Sequence, residues 1–208
     1  MKVSAGMTTD HWWWRPGWRQ GRSFYTWHIT FADQPEIQHL LSGYATAISK
    51  FQTMDLVDRD GLHLTIQGIG FTDEVERPDV ERIIQAAQRR CSELEPIALQ
   101  IGPPIVDRET VQMPAQPSDP LVALRLTLRQ AIADVWGPEN IPEEMAGFRP
   151  HVTLAYSNGA YSMSEIESSL ATVGAVTGKA QISAVSLIDL NRDRKRYEWT
   201  DVASVSLG

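Results

Sequence analysis

The chain has 208 residues, of which 42% are apolar and 22% are charged, enough to bury a substantial core in one large domain or in two small lobes that share an interface. Nineteen basic and 26 acidic side chains give a formal net charge of −7, which excludes the basic surface expected of a protein that tracks a long polyanion. A small phosphate-containing ligand is compatible with this charge, because it needs only a few local donors.

Cysteine usage and hydropathy indicate the cellular compartment. Cys91 is the only cysteine, which excludes a disulfide framework and a CxxC metal site and favours a reducing environment. The first residues lack the sustained apolar stretch of a signal peptide, and no segment offers the roughly 18 apolar residues of a membrane span. We therefore expect a cytoplasmic monomer that does not interact with membranes.

The first half of the chain alternates segments of strand and helix character. Aromatic and β-branched residues favour strands, apolar residues at helical spacing favour helices, and Asp60-Gly61 indicates a turn. These signals predict, in chain order, a strand over 23–31, a helix over 34–50, a strand over 62–71 and a helix over 77–94.

The second half repeats this alternation after a predicted pair of strands near 96–114. Ser118 or Asp119 is a plausible N-cap for the next helix. Two alternating runs around a charged turn then close the chain and predict a β-hairpin. The predicted elements are a helix over 118–137, a strand over 149–157, a helix over 162–174 and hairpin strands within 181–193 and 194–207.

A helix precedes a histidine-bearing strand in both halves, which indicates a weak duplication of architecture. Because no linker-like stretch separates the halves, we expect one bilobal domain over 1–208. Its predicted parts are a Trp/Arg-rich N-terminal strap over 1–22, a first lobe over about 23–95 and a second lobe over about 96–208.

Three His-x-Thr motifs occur, starting at His28, His63 and His151. In a strand the histidine and the threonine of such a motif project from one face, and the intervening residue projects from the other. Two such strands from two lobes would place two imidazoles and two hydroxyls around one cavity. A motif of this kind alone also fits a half-buried strand histidine bonded to the backbone, with threonine present for its strand propensity.

Phosphodiester cleavage needs the groups that these motifs supply. A neutral imidazole can take a proton from water or a ribose hydroxyl, and a protonated one can give a proton to the leaving oxygen. Threonine hydroxyls can donate to the nonbridging phosphate oxygens, where charge builds up in the transition state. This scheme requires neither a metal ion nor another cofactor.

The residues around two of the motifs resemble a known family. GLHLTIQGIG at 61–70 is similar to the family pattern of an apolar residue, HLTL and a short run closed by glycine, and FRPHVTLAY at 148–156 is similar to its PHxTL pattern. Both patterns belong to the 2′-5′ RNA ligase and cyclic phosphodiesterase family of the 2H (two-histidine) phosphoesterase superfamily. The likeness in architecture spans residues ~23–205.

The resemblance implies a bilobal α+β fold, in which two antiparallel sheets with flanking helices surround a central cleft. It also implies hydrolysis of 2′,3′-cyclic phosphates at RNA ends, or of related cyclic nucleotide phosphodiesters, as in RNA processing. Carried over to this sequence, His63 would be the proton donor and His151 the proton acceptor, while Thr65 and Thr153 would hold the phosphate.

The sequence departs from the family pattern in ways that affect phosphate binding. Ala155 and Ser157 stand after the second motif, where many relatives keep an arginine or lysine. Arg149, which shares a strand face with His151, is one candidate to bind the phosphate instead, and Gln67 is expected on the catalytic face of the first strand. His28 is expected to be either part of the groove wall or a satisfied core histidine.

The N-terminal strap interleaves Trp12, Trp13, Trp14 and Trp18 with three arginines. Such a segment could be a flap that stacks a nucleobase and pairs with phosphate. Alternatively, it could pack over exposed apolar surface, which we favour because tryptophan buries area efficiently. His11 and His39 lie in no motif and are expected at the surface.

Two other functions compete with a cyclic phosphodiesterase. A non-catalytic module could keep the cleft to bind a nucleotide or an RNA end. A metallohydrolase could use His63 and His151 as ligands, although the sequence lacks the third ligand and the carboxylate spacing of such sites.

Overall fold

Ten strands form two antiparallel sheets in the computed structural model, which describes residues 6–208. The strands are β1 (Phe24–Thr30), β2 (Met54–Leu56), β3 (His63–Phe71), β4 (Ile97–Ile101), β5 (Ile105–Val106), β6 (Thr110–Gln116), β7 (His151–Ser157), β8 (Gly178–Ile182), β9 (Ala184–Asn191) and β10 (Glu198–Ser206). The first sheet has the order β10-β9-β1-β3; the second has the order β2-β7-β6-β4-β8, with β5 beside β6.

Four α-helices cover the sheets: α1 (Pro35–Ser49), α2 (Arg77–Cys91), α3 (Ser118–Trp136) and α4 (Met163–Ala171). Helix α2 buries Val80, Ile83 and Ala87, a spacing that places one apolar stripe on the core. Helices α2 and α3 pack together on the first sheet, whereas α1 and α4 pack on the second. None of the helices in residues 6–208 has the length and apolar character that a membrane span requires.

The predicted α+β fold with two antiparallel sheets is confirmed, and so is the terminal hairpin, β9 and β10. The short strands β2 and β8 were not predicted, and α2 ends at Cys91 instead of residue 94. Neither Ser118 nor Asp119 is the N-cap of α3, because the cap position is Pro117 and no side chain bonds there.

The boundaries expected for the two lobes are wrong, because each sheet takes elements from both halves of the chain. Strand β9 returns to pair with β1 in the first sheet and β10 pairs with β9, while β2 pairs with β7 in the second sheet. The helices cross over in the same way, since α3 covers the first sheet and α1 the second. Backbone pairing between distant segments overrides the division at residue 95 that chain order suggests.

The N-terminal strap, of which the structure describes residues 6–22, joins the two sheets. On the second sheet the His11 amide donates to the carbonyl of Ser157, and the Trp12 indole donates to Asp55 at 2.8 Å. On the first sheet Trp18 packs against Phe24 and Phe71, with ring centroids 5.9 and 5.2 Å away. The strap therefore spans the gap between the sheets; residues 1–5 of the predicted segment lie outside the described residues.

Candidate active site

A cleft of about 300 Å³ lies between the two sheets and contains both predicted motifs. His63 and Thr65 line it from β3, and His151 and Thr153 line it from β7. The structure thus brings together the four side chains that sequence analysis singled out. A second cavity of about 430 Å³ adjoins the cleft, because His63, Tyr156 and Tyr197 line both.

The two imidazoles are held in the same way. Nδ1 of His63 lies 2.7 Å from the carbonyl oxygen of Gly61, and Nδ1 of His151 lies 2.7 Å from that of Arg149. Because a carbonyl only accepts, each Nδ1 carries a proton and donates it. Each ring therefore keeps Nε2 as the nitrogen that can exchange a proton with a ligand.

Thr65 and Thr153 differ in their surroundings. The Thr65 side chain is exposed to the cleft, and its hydroxyl lies 3.1 Å from Nε2 of His28. Thr153 is buried on β7 and still lines the cleft. Both threonines therefore line the same cleft as the two histidines.

His28 forms part of the cleft wall behind His63. The two rings are stacked, with centroids 4.4 Å apart and planes 2° from parallel. His28 is fully buried, and its Nδ1 has no hydrogen-bond partner among the described residues. It is therefore a wall residue, and the alternative of a satisfied core histidine is wrong.

A β-bulge directly follows the threonine of each motif. Ile66 in β3 and Leu154 in β7 have no paired residue on the neighbouring strand, because the register shifts by one at each position. A bulge reverses the alternation of side chains beyond it. Tyr156 therefore faces the cleft, and the equivalent position on β3 is Gly68 instead of Gln67.

Gln67 accordingly does not lie at the cleft. It is buried, and its amide donates to the carbonyl of Pro142 at 2.8 Å and accepts from Arg129. A Cβ at Gly68 would lie 2.5 Å from a carboxylate oxygen of Glu143, so the absence of a side chain makes room for Glu143 at the cleft. The prediction that Gln67 lies on the catalytic face is wrong, because it assumed that side chains alternate without a break along β3.

Arg149 is also absent from the residues that line the cleft. Its side chain is exposed, and it contributes to the site through its backbone carbonyl, which orients His151. Arg149 precedes β7, so the face alternation used to predict its direction does not extend to it.

The cationic side chains of the cleft are Arg15, from the strap, and Arg192, from the end of β9. His11 lies between them and is buried, contrary to the prediction of a surface position, whereas His39 is exposed as predicted. The Tyr197 hydroxyl donates to Nε2 of His11 at 2.9 Å, while Nδ1 of His11 donates to Glu109 at 3.2 Å. The composition of the strap allowed a flap at the site, whereas no local pattern in the sequence indicates Arg192.

The strap combines both arrangements that its composition allowed. Trp12 is buried against the second sheet, as expected of a packed strap, while Arg15 and Trp18 line the cleft, as expected of a flap. Trp13 and Trp14 are 47% and 49% exposed and line neither cavity.

Burial controls the protonation of His63. The pKa of His63 is lowered to about 4, chiefly because burial removes the ring from water. The Gly61 carbonyl raises this pKa in part, and the nearby His151 lowers it. Burial also lowers the pKa of His28 well below its ordinary value, with a smaller contribution from His63. The pKa of His11 falls to about 4, first through burial and then through the charges of Arg15 and Arg192. All three rings are neutral at pH 7.

These buried histidines predict a loss of stability in mild acid. Each has a lower pKa in the folded chain than in the unfolded chain, where it is about 6.5. The unfolded state therefore binds more protons below pH 6.5, and stability present above that pH is lost as the pH falls toward 4. We expect the free energy of unfolding, measured by urea denaturation, to decrease from pH 7 to pH 5.

The same titration with His28→Phe should show a weaker dependence on pH, because one buried ionisable ring is removed. His39→Ala serves as the matched control, since His39 is exposed on α1 and should leave the dependence unchanged. A free energy of unfolding that stays constant between pH 7 and pH 5 would contradict this explanation.

Within residues 6–208, no group of three or more His, Cys, Asp and Glu side chains has the geometry to hold a metal ion. The polar groups that line the cleft are instead mostly imidazoles, hydroxyls and guanidinium groups, together with the single carboxylate of Glu143. This set suits the binding of an anion and proton transfer to or from it.

Several solved structures align with most of this chain. TT0787 of Thermus thermophilus has a TM-score of 0.70 and 19% identity, over 89% of this chain and 97% of that one. E. coli LigT in its apo form has a TM-score of 0.63 and 17% identity, over 89% and 98%. The MHV ns2 PDE domain has a TM-score of 0.54 and 10% identity, over 81% and 99%. At these identities the likeness shows the fold alone.

Sequence comparison identifies the family. A search of curated proteins found no significant match. The sequence model of the 2′-5′ RNA ligase superfamily matches residues 32–194, which include both motifs and exclude the strap and β1. The chain, with its two histidine motifs on opposite walls of one cleft, belongs to the 2′-5′ RNA ligase superfamily.

Proposed function

We propose that the protein is a metal-independent phosphodiesterase that hydrolyses 2′,3′-cyclic phosphates at RNA ends or in related nucleotides. The observation that carries this proposal is the matched pair of imidazoles, each with Nδ1 bonded to a carbonyl two residues earlier and with Nε2 free. A pair of proton-transfer groups on either side of one anion site is what in-line displacement at phosphorus requires.

In this proposal the cyclic phosphate binds between His63 and His151, and Thr65 and Thr153 donate to its nonbridging oxygens. One imidazole removes a proton from water as the water oxygen forms a bond to phosphorus. The other imidazole donates its proton to the ribose oxygen as the bond from phosphorus to that oxygen breaks. The product is a phosphate monoester with a free hydroxyl on the neighbouring ribose carbon.

The pKa of His63 bears on which imidazole has which role. The resemblance to the family implies His63 as donor, yet a ring with a pKa of about 4 is almost entirely neutral at pH 7. A neutral ring can accept a proton but has none to give from Nε2. We therefore propose His63 as the acceptor and His151 as the donor.

Structures of a protein with the same fold support nucleotide-sized ligands. E. coli LigT has been solved in complexes with 3′-AMP, with NADP+ and with ATP. By analogy, we propose that this cleft takes a nucleotide, either free or at the end of an RNA chain, and that the reaction takes place in the cytoplasm, where the lone Cys91 stays reduced.

The test is a turnover panel in the presence of a chelator. The substrates are 2′,3′-cyclic mononucleotides, RNA with a cyclic end, 2′-5′ dinucleotides and ADP-ribose cyclic phosphate. We expect turnover of at least one cyclic phosphate, with undiminished rate in EDTA. Tight binding without turnover would establish the alternative of a non-catalytic nucleotide-binding module, and activity restored only by zinc or manganese would contradict the metal-free mechanism.

The pH profile of the active substrate separates the two role assignments. If His63 is the acceptor, kcat/KM falls on the acidic side near pH 4 and holds between pH 5 and pH 6, because kcat/KM reports the free protein. If His63 were the donor, it would lose its proton as the pH rises above 4, and kcat/KM would fall about tenfold for each pH unit above that value.

A further inference from the structure

Arg192 is a buried cation at the cleft without an ion-pair partner of its own. Its residue surface is 3% exposed, and it lines the cleft. Nη2 donates to the carbonyl oxygens of His11 and Trp13 at 2.9 and 3.4 Å. Among residues 6–208 no carboxylate lies within ion-pair distance of it, and Nε and Nη1 have no hydrogen-bond partner.

Aromatic rings surround this guanidinium group. Its Cζ lies 5.6 Å from the Trp12 ring centroid, 5.8 Å from that of Trp18 and 5.7 Å from that of Tyr197. Such rings stabilise a cation only in part, and burial still lowers the pKa of Arg192. A buried charge without a counter-charge is unfavourable. An anion in the cleft would supply that counter-charge.

Arg15 adds a second positive charge next to Arg192. Both side chains line the cleft and both contact His11, since Nη2 of Arg15 lies 3.3 Å from Nδ1 of His11 and Nη2 of Arg192 lies 2.9 Å from its carbonyl oxygen. The one carboxylate in this cluster is Glu109, which accepts from Arg15 at 2.5 Å and from His11. One negative charge therefore faces two positive ones.

The arginine pair occupies a different part of the cleft from the catalytic pair. Arg192 bonds to carbonyl groups of the strap, whereas His63 bonds to Gly61 and stacks on His28. The Tyr197 ring is a neighbour of both groups, with its centroid 5.8 Å from the His63 ring and 5.7 Å from Cζ of Arg192. A ligand that reaches both must carry two separated anionic groups.

We propose that Arg192 and Arg15 form a second anion site, which binds a phosphate of the substrate other than the one held between His63 and His151. The inference rests on the proposed function and narrows its substrate class to nucleotides with a second phosphate besides the cyclic one. Arg15 lies outside residues 32–194, so the strap supplies this site in addition to the part of the chain that the superfamily model matches.

Equilibrium binding of product-like nucleotides tests the site without any need for turnover. Isothermal titration calorimetry with the full chain would compare adenosine 2′-monophosphate with adenosine 2′,5′-bisphosphate and adenosine 3′,5′-bisphosphate. We expect a bisphosphate to bind about 10- to 100-fold more tightly, the usual gain from hydrogen bonds between charged groups. Arg192→Gln and Arg15→Gln should each remove most of this preference and change the affinity for the monophosphate little.

Two further variants keep the test independent of folding. Arg192→Lys retains the charge and should retain part of the preference even if Arg192→Gln lowers the melting temperature. Arg19→Gln is the matched control, because Arg19 also belongs to the strap, pairs with Asp73 and lines neither cavity. The Arg19→Gln variant should prefer the bisphosphate over the monophosphate as strongly as the unmodified chain does.

The outcomes separate this inference from the proposed function. Equal affinity for monophosphate and bisphosphates would overturn the second anion site, even if cyclic mononucleotides are hydrolysed. A clear bisphosphate preference that is lost in Arg15→Gln would support the site, even if no cyclic phosphate is turned over. Failure of all three nucleotides to bind would overturn the second anion site, whereas the proposed function is decided by the turnover panel.

Discussion

Replacement of either His63 or His151 with alanine is expected to lower kcat by about 10²–10⁴, the range that general acid-base catalysis supplies. Both imidazoles line the same cleft, and among the cleft residues that the structure describes only these two have Nδ1 bonded to a backbone carbonyl two residues earlier. The measurement is kcat for the best substrate of the turnover panel at saturating concentration.

The double variant should lose much less than the product of the two single losses, because groups that act together in one step are not additive. Thr65→Val and Thr153→Val should be milder, since each deletes one donor to phosphate and leaves proton transfer intact. His39→Ala, on the exposed face of α1, is the control. Full activity in either single histidine variant, with the protein folded, would refute the two-histidine mechanism.

Replacement of His28 with alanine is expected to lower kcat by about 10- to 100-fold, although we assign His28 no part in proton transfer. The His28 ring supports one face of His63 through the stack at 4.4 Å, and its Nε2 lies 3.1 Å from the Thr65 hydroxyl. Loss of both contacts frees two substrate-binding groups at once. A displacement of about 1 Å in a reacting group can cost about 100-fold in rate.

The His28→Phe variant distinguishes a role in positioning His63 from a role in proton transfer. Phenylalanine keeps a flat ring behind His63 and removes the contact with Thr65, so kcat should recover in part while KM stays raised. If His28→Phe is as inactive as His63→Ala, His28 takes part in proton transfer itself, and its description as a wall residue is wrong.

The catalytic pair could be predicted from sequence because the relevant signal is local. His63 and Thr65, like His151 and Thr153, lie before the bulges, where the alternation of a regular strand holds. Beyond each bulge the same rule fails, and it therefore misplaced Gln67. No residue type at Ile66 or Leu154 indicates a bulge, since both are ordinary strand formers.

The remainder of the cleft depends on long-range pairing that local patterns do not contain. Arg192 reaches the site because β9 pairs with β1, and Arg15 reaches it because the strap crosses from Ser157 to Phe24. Nothing in the sequence near either arginine distinguishes it from exposed arginines such as Arg194. The strap itself was recognisable from its tryptophans, but which of them would be buried was not.

The interleaving of the two sheets constrains how the cleft can open. The chain crosses between the sheets four times, as it passes from β1 to β2, from β2 to β3, from β3 to β4 and from β8 to β9. Opening of the cleft would have to move all four connections together, so we expect no single segment to serve as a hinge. We therefore expect the cleft to keep a nearly constant width when a ligand binds, unlike enzymes that complete their sites by domain closure. Specificity would then come from individual side chains, such as those of the strap.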